Sequence, residues 1–335
     1  MIRAGPMDRS SSHENAAPTD PNATNSMIGR SRSADRVKPY LFLGPNFAGF
    51  VLFTAGPIVA AVALSLFRYH PLKGEVDFVG LDNFVKLLGW TRDAAGRLTA
   101  ADPYFYKYLK NTLVLMMAIP VNMIGALLVA MLLNQELRGR IVLRTVFFLP
   151  HLCAGVALFM LWRMMFIPDA SVGVINGLLQ RIGVEGPAWL QDTFWAKPAL
   201  MIMMVWAAIG GYNMILYLAG LTQIPVELYE AADIDGAGWF QRLRHITWPQ
   251  LAPTSFFILI TSTIGGFQGG FEAAYIMTQG GPDGQTKTIS YYIYENAYEW
   301  GQFGYAAAIS LVLFAIILAI TLINWRYGGK QLDVA

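Results

Sequence analysis

Cysteine is almost absent from the 335-residue sequence: the single Cys153 excludes an internal disulfide, a cysteine framework and any Cys/His metal cluster. Histidine is scarce too, and His13, His70, His151 and His245 are too scattered to be proposed as ligands, so no metal site is expected. Charged residues make up only 14% of the chain, where a soluble globular protein carries about a quarter. A net charge of +2, with no run of Lys and Arg, excludes the basic stripe that nucleic-acid binding needs. No G-x-x-x-x-G-K-[ST] phosphate loop occurs, so no ATP site or other cofactor is expected on the chain. Nor is there a nucleophile motif or catalytic cluster that would support an enzyme.

The first 39 residues lack any apolar run and are rich in Ser, Asn, Asp and Arg. Such a segment cannot bury enough surface to offset the entropy of ordering it, and it predicts a disordered cytoplasmic tail rather than a cleavable signal peptide.

What the chain has in abundance is apolar sequence, 55% of all residues. Crossing about 30 Å of hydrocarbon takes about 20 mostly apolar residues. Six segments qualify: Tyr40 to Phe67, Leu109 to Leu133, Ile141 to Phe166, Pro198 to Leu221, Thr254 to Met277 and Gly304 to Trp325. A domain of six spans over 40–326, followed by a short cytoplasmic tail over 327–335, is therefore expected. In the first connection, Leu81, Phe84, Val85 and Leu88 share one helical face and predict a short amphipathic helix outside the bilayer. The second connection, Asn134 to Arg140, is short and basic, which places it and both termini in the cytoplasm. Polar residues within the spans are few: Asn122, Asn213, Gln268 and Glu272, each costly unless it faces other helices or water. The pairs Gly210-Gly211, Gly265-Gly266 and Gly269-Gly270 either leave the fourth and fifth spans bent or lining a path, or simply permit tight helix packing.

The connection from Thr222 to Pro253 is long, polar and cytoplasmic in this topology. Pro225 suits the start of a helix over Val226 to Ile234, Gly236 and Gly238 are stop signals, and a second helix is expected over Trp239 to Thr247. Within this loop Glu230-Ala231-Ala232, then Asp235-Gly236-Ala237, Phe240, Ile246 and Pro249, resembles the EAA loop of binding-protein-dependent ABC importer permeases. Trp248 stands where that family usually has Leu. The resemblance implies an all-α membrane protein of the type I importer permease kind, with loop 222–253 as its coupling segment. It further implies that Glu230, Ala231, Ala232, Asp235, Gly236 and Ala237 dock on a separate ATPase, which binds the ATP.

Further motifs are similar to those of carbohydrate importers: Phe147-Phe148-Leu149-Pro150, Trp189-Leu190, Thr278-Gln279-Gly280-Gly281-Pro282 with Thr286, Tyr292-Ile293-Tyr294 and Phe303 to Ser310. The match runs from about Tyr40 to Arg326. The implied partners are a second, homologous permease subunit, two cytoplasmic ABC ATPase subunits, an extracytoplasmic solute-binding protein and the lipid bilayer of the inner membrane. Similar permeases place a sugar contact mid-membrane, here at Tyr212, Asn213, Phe267, Gln268, Gly269, Gly270 and Phe271. Amides suit sugar hydroxyls and aromatic rings suit apolar sugar faces, although aromatics in a membrane helix are usually packing residues. The alternatives are an ABC permease for a non-sugar solute and an ion-coupled secondary transporter, for which Glu272 is the one acid deep in a span.

Overall fold

The computed structural model describes residues 42–328 apart from 72, 93, 95, 136 and 154, so the expected tail over 1–39, and 329–335 at the other end, lie outside the described residues. The chain divides into two compact units, 1–60 and 61–335.

Helix α1 (Phe42–Ser65) stops two residues short of the expected end of the first span. The chain turns there into strand β1 (Phe67–His70), which pairs antiparallel with β2 (Glu75–Phe78), with Phe67 opposite Phe78 and His70 opposite Glu75. Helix α2 (Asp82–Leu88) is the expected short helix, but it buries a different face. Leu87 is fully buried and Phe84 partly so, whereas Leu81 and Val85 stay more than 60% exposed. The reason is tertiary: α2 lies against the last helix, which selects the side carrying Leu87. A second small hairpin follows, β3 (Trp90–Arg92) with β4 (Leu98–Ala100).

Helix α3 (Pro103–Asn134) starts six residues before the expected Leu109. Asp102 caps it by accepting from the backbone N–H groups of Tyr104 (3.0 Å) and Phe105 (3.1 Å), and Pro103 fills the first helical position. The expected third span is broken into α4 (Arg140–Leu152) and α5 (Gly155–Met165), a bent pair. Pro150 has no N–H to donate and ends α4 within one turn. After α6 (Val174–Arg181), the fourth span is α7 (Ala196–Ile209) and α8 (Tyr212–Leu221), bent by 42° at Gly210-Gly211. The pair both bends the span and permits close packing, while neither glycine lines the cavity described below. A Cβ on Gly210 would sit 1.9 Å from the Phe147 carbonyl oxygen, so α4 packs directly against the bend.

Next come α9 (Val226–Ile234) and α10 (Trp239–Gln250), then α11 (Ala252–Gln268), inclined to α10 by 66°. The expected fifth span is interrupted at Gly269-Gly270, where Gly270 has φ +81°, and resumes as α12 (Phe271–Thr278). Helix α13 (Ile289–Tyr294) and the long α14 (Phe303–Gly328) complete the described chain. Among the described residues three helices, α1, α3 and α14, are long and apolar enough to cross a bilayer alone, and the number rises to as many as six when each bent pair counts as one span.

Helix α3 is the central strut: α7, α8 and α11 pack along it, while α14 packs on α11, α13, α2 and β1. At one end, Asp102 also accepts from the hydroxyls of Tyr292 (2.7 Å) and Tyr305 (2.5 Å), tying α3 to α13 and α14. Burial, reinforced by that bond to Asp102, raises the Tyr292 phenol well above its ordinary pKa, so it stays a donor. At the other end, Arg144 donates to the Leu133 carbonyl (3.3 Å) in the last turn of α3.

Candidate functional site

The segment 222–253 folds as two short helices around a glycine corner, and its motif residues form the corner. In α9, the N–H of Ala237 donates to the Ala232 carbonyl (2.9 Å) and that of Gly236 to the Asp233 carbonyl (3.1 Å). Together with φ +72° at Gly236, this is a Schellman cap, which satisfies two carbonyls that the helix end would otherwise orphan. A Cβ on Gly236 would touch nothing within 4 Å, so glycine is required by the left-handed backbone alone. Helix α10 restarts at once: the Gln241 side chain accepts from the Gly238 N–H (2.8 Å), and Arg242 pairs with Asp233 across the corner at 2.5 Å. That ion pair is partly exposed and contributes at most about 1 kcal/mol.

One face of this elbow is anchored in the membrane domain. Tyr229 and Ile246 pack on a buried cluster from α3, α8 and α11 that includes Leu133, Tyr217, Leu221 and Leu251. The Tyr229 hydroxyl shares a 2.9 Å hydrogen bond with the buried Thr247 Oγ1, joining α9 to α10. The opposite face is bare, with Glu230 and Ala231 exposed beside Val226 (65%), Ile234 (88%) and Phe240 (64%). Apolar groups this exposed on a charged loop mark an interaction surface. A rigid elbow rooted in the core and bare outside is suited to carrying a push from a bound partner into α3, α8 and α11.

Within the membrane domain, a cavity of about 480 Å³ lies among α3, α7, α11 and the Gly269-Gly270 break. Its walls are mostly apolar, with Met116, Ile119 and Val205, and a few polar groups converge on it. Asn213 Nδ2 donates to Asn122 Oδ1 (2.9 Å) and to Ser262 Oγ (3.3 Å). The buried Asn122 Nδ2 has no hydrogen-bond partner among the described residues. A donor left unpaired beside a cavity is costly unless a polar guest or water meets it.

The family model described as binding-protein-dependent transport system inner membrane component matches residues 94–326. The chain belongs to this family. It is 35% identical over 304 residues to the probable ABC transporter permease protein YurN of Bacillus subtilis (strain 168), across 89% of this chain and 98% of that protein. Over 316 residues it is 36% identical to the lactose transport system permease protein LacF of Rhizobium radiobacter, across 92% and 99% of the two chains. In fold it is similar to a chain in the crystal structure of a bacterial alginate ABC transporter bound to its alginate pentasaccharide-loaded periplasmic protein. That match has a TM-score of 0.74 at 24% identity and covers 89% of this chain and 96% of that one. The protein is thus an ABC importer permease, a multi-pass inner-membrane component with the type I fold.

In this permease the six coupling residues expected from the motif lie together at the α9 corner. Of the seven expected path residues, the structure brings Asn213, Gly269 and Gly270 to the cavity wall. Tyr212 is 55% exposed and Gln268 is exposed outside the cavity. Phe267 is fully buried in a cluster with Phe105, Tyr108 and Ile289, a packing position. Phe271 stacks among Tyr275, Tyr291 and Tyr294 instead of facing the cavity. Sequence reasoning missed Thr288, Ser262 and His151 on that wall. The Asn122–Asn213 bond pairs two polar residues singled out separately, and their rarity in apolar spans was the available signal.

Proposed function

We propose that this permease forms half of the translocation path for a sugar or sugar derivative, the other half being a second, homologous permease subunit. Two cytoplasmic ATPase subunits bind the ATP, α9 sits in a groove on one of them, and an extracytoplasmic solute-binding protein delivers the substrate to the outer loops. Both termini are then cytoplasmic, and the chain carries no cofactor and no catalytic site of its own. The single observation that carries the sugar reading is 36% identity over nearly the full length to LacF, a lactose permease by name. A cavity with an apolar wall and converging amides supports it, because sugars present apolar ring faces and hydroxyl rims.

The coupling role rests on geometry: α9 is rigidly capped, rooted in the core by Tyr229 and Ile246, and exposes Glu230 and Ala231. Glu230 offers a charge to a basic partner residue, and Ala231 is small enough to let a groove wall approach. Uptake of radiolabelled sugars by the assembled importer in proteoliposomes tests the whole reading. It expects transport that requires ATP hydrolysis and the binding protein. Transport driven by an ion gradient without ATP refutes it.

A further inference from the structure

Outside the cavity and the coupling elbow, a second, strongly polar pocket of about 330 Å³ opens where α1 ends and α14 begins. It is lined by Arg68, His70, Lys73 and Lys86, with Glu75 and Asp82 also on its wall. Fixed cations thus outnumber carboxylates, and Asp82 is held by Arg68 at 3.8 Å, an exposed and weak pair. Lys86 Nζ lies 4.5 Å from the centre of the Tyr305 ring, which is itself part of the wall. Two further features suit a polar guest, the second of them a negative one. The His70 Nδ1 is buried with no partner among the described residues, and Gly304 brings the N-terminus of the 26-residue α14 to the wall.

The position of the pocket names the kind of guest. The chain leaves the apolar α1 at Ser65 and enters the apolar α14 at Phe303, so the pocket lies at the edge of the hydrocarbon. Nearby Tyr298 and Trp300 are exposed, as aromatic side chains at a membrane–water interface are, and the α14 face beyond carries exposed Phe314 and Leu322. We propose that Arg68, His70, Lys73 and the start of α14 hold the phosphate of a phospholipid headgroup, whose acyl chains lie along α14. With both termini cytoplasmic the pocket faces the outer leaflet, and the ion pairing that holds anionic headgroups in basic pockets beside membrane helices on the cytoplasmic side applies to a phosphate there as well. This inference rests on the membrane spans and not on the transported solute, so a failure of the sugar reading leaves it standing.

Native mass spectrometry of the assembled importer with added phosphatidylglycerol tests it, beside the double substitution Arg68→Gln/Lys73→Gln. The wild-type complex should retain phosphatidylglycerol, and the double variant should bind it roughly tenfold or more weakly. Both side chains are exposed, and the same spectra report assembly; if the double variant does not assemble, Lys73→Gln alone decides. Equal retention by variant and wild type overturns the proposal. Displacement of the lipid by inorganic phosphate alone overturns the assignment to a membrane lipid in favour of a soluble phosphate.

Discussion

Gly236 offers the sharpest handle on the coupling elbow, because its requirement is purely one of backbone. With φ +72° and no atom within 4 Å of the place a Cβ would occupy, Gly236→Ala adds no clash. Its cost is the left-handed conformation itself, about 1–2 kcal/mol for an L-residue. That is a factor of about 5–30 in the population of the capped elbow. Gly236→Asn should cost less, since Asn tolerates this conformation best among residues with a side chain. Gly236→Pro is far more severe: proline fixes φ near about −65° and deletes the N–H that donates to Asp233. ATP-driven uptake and binding-protein-stimulated ATPase activity of the assembled importer read the series. The expected order is wild type, Asn, Ala, Pro, with uptake lost in the proline variant while the protein still inserts. Uptake undiminished in Gly236→Pro, or Ala and Pro equally impaired, would refute the reasoning.

Three other outcomes follow from named contacts. Gly210→Ala places a Cβ 1.9 Å from a backbone oxygen of α4, which no side-chain motion relieves, whereas Gly265→Ala meets nothing within 4 Å. Thermal unfolding of the complex should therefore fall for the first, by roughly 1–3 kcal/mol or more, and not for the second. Asn213→Leu removes the bonds to Asn122 and Ser262 and should destabilise by about 1–3 kcal/mol. If Asn213 also contacts the substrate, the double variant with Gln268→Leu changes transport rate or specificity in the assembled complex, and unchanged transport removes both from the path. Tyr229→Phe deletes only the hydrogen bond to Thr247 and should cost about 1 kcal/mol while lowering uptake per ATP hydrolysed.

Much of this architecture was readable in the residues, for reasons that are local. Helix α9 has the bounds expected from Pro225 and Gly236, because its start and stop signals are chemical rather than tertiary. The breaks at Gly210-Gly211 and Gly269-Gly270 fall where paired glycines weaken a helix. The early start of α3 was also present in the sequence, as Asp102 followed by Pro103, but apolar length was the stronger cue. Other features depend on neighbours the sequence does not name. The face of α2 is chosen by α14. Phe267 illustrates the same limit within the site: spacing places it beside Gln268, but only packing against Phe105 and Tyr108 shows that it faces the core.

The central claim, that α9 is a cytoplasmic handle held by an ATPase, is tested most directly by cross-linking. Cys153 is the single native cysteine, so Cys153→Ser supplies a cysteine-free background for Ala231→Cys. In inverted membrane vesicles the introduced thiol should react with an impermeant maleimide, be shielded from it in the assembled importer, and be bridged there to an amine of the ATPase subunit by a reagent carrying a maleimide at one end and an amine-reactive ester at the other. Labelling only from the outer face, or labelling unaffected by the ATPase subunit, contradicts the account.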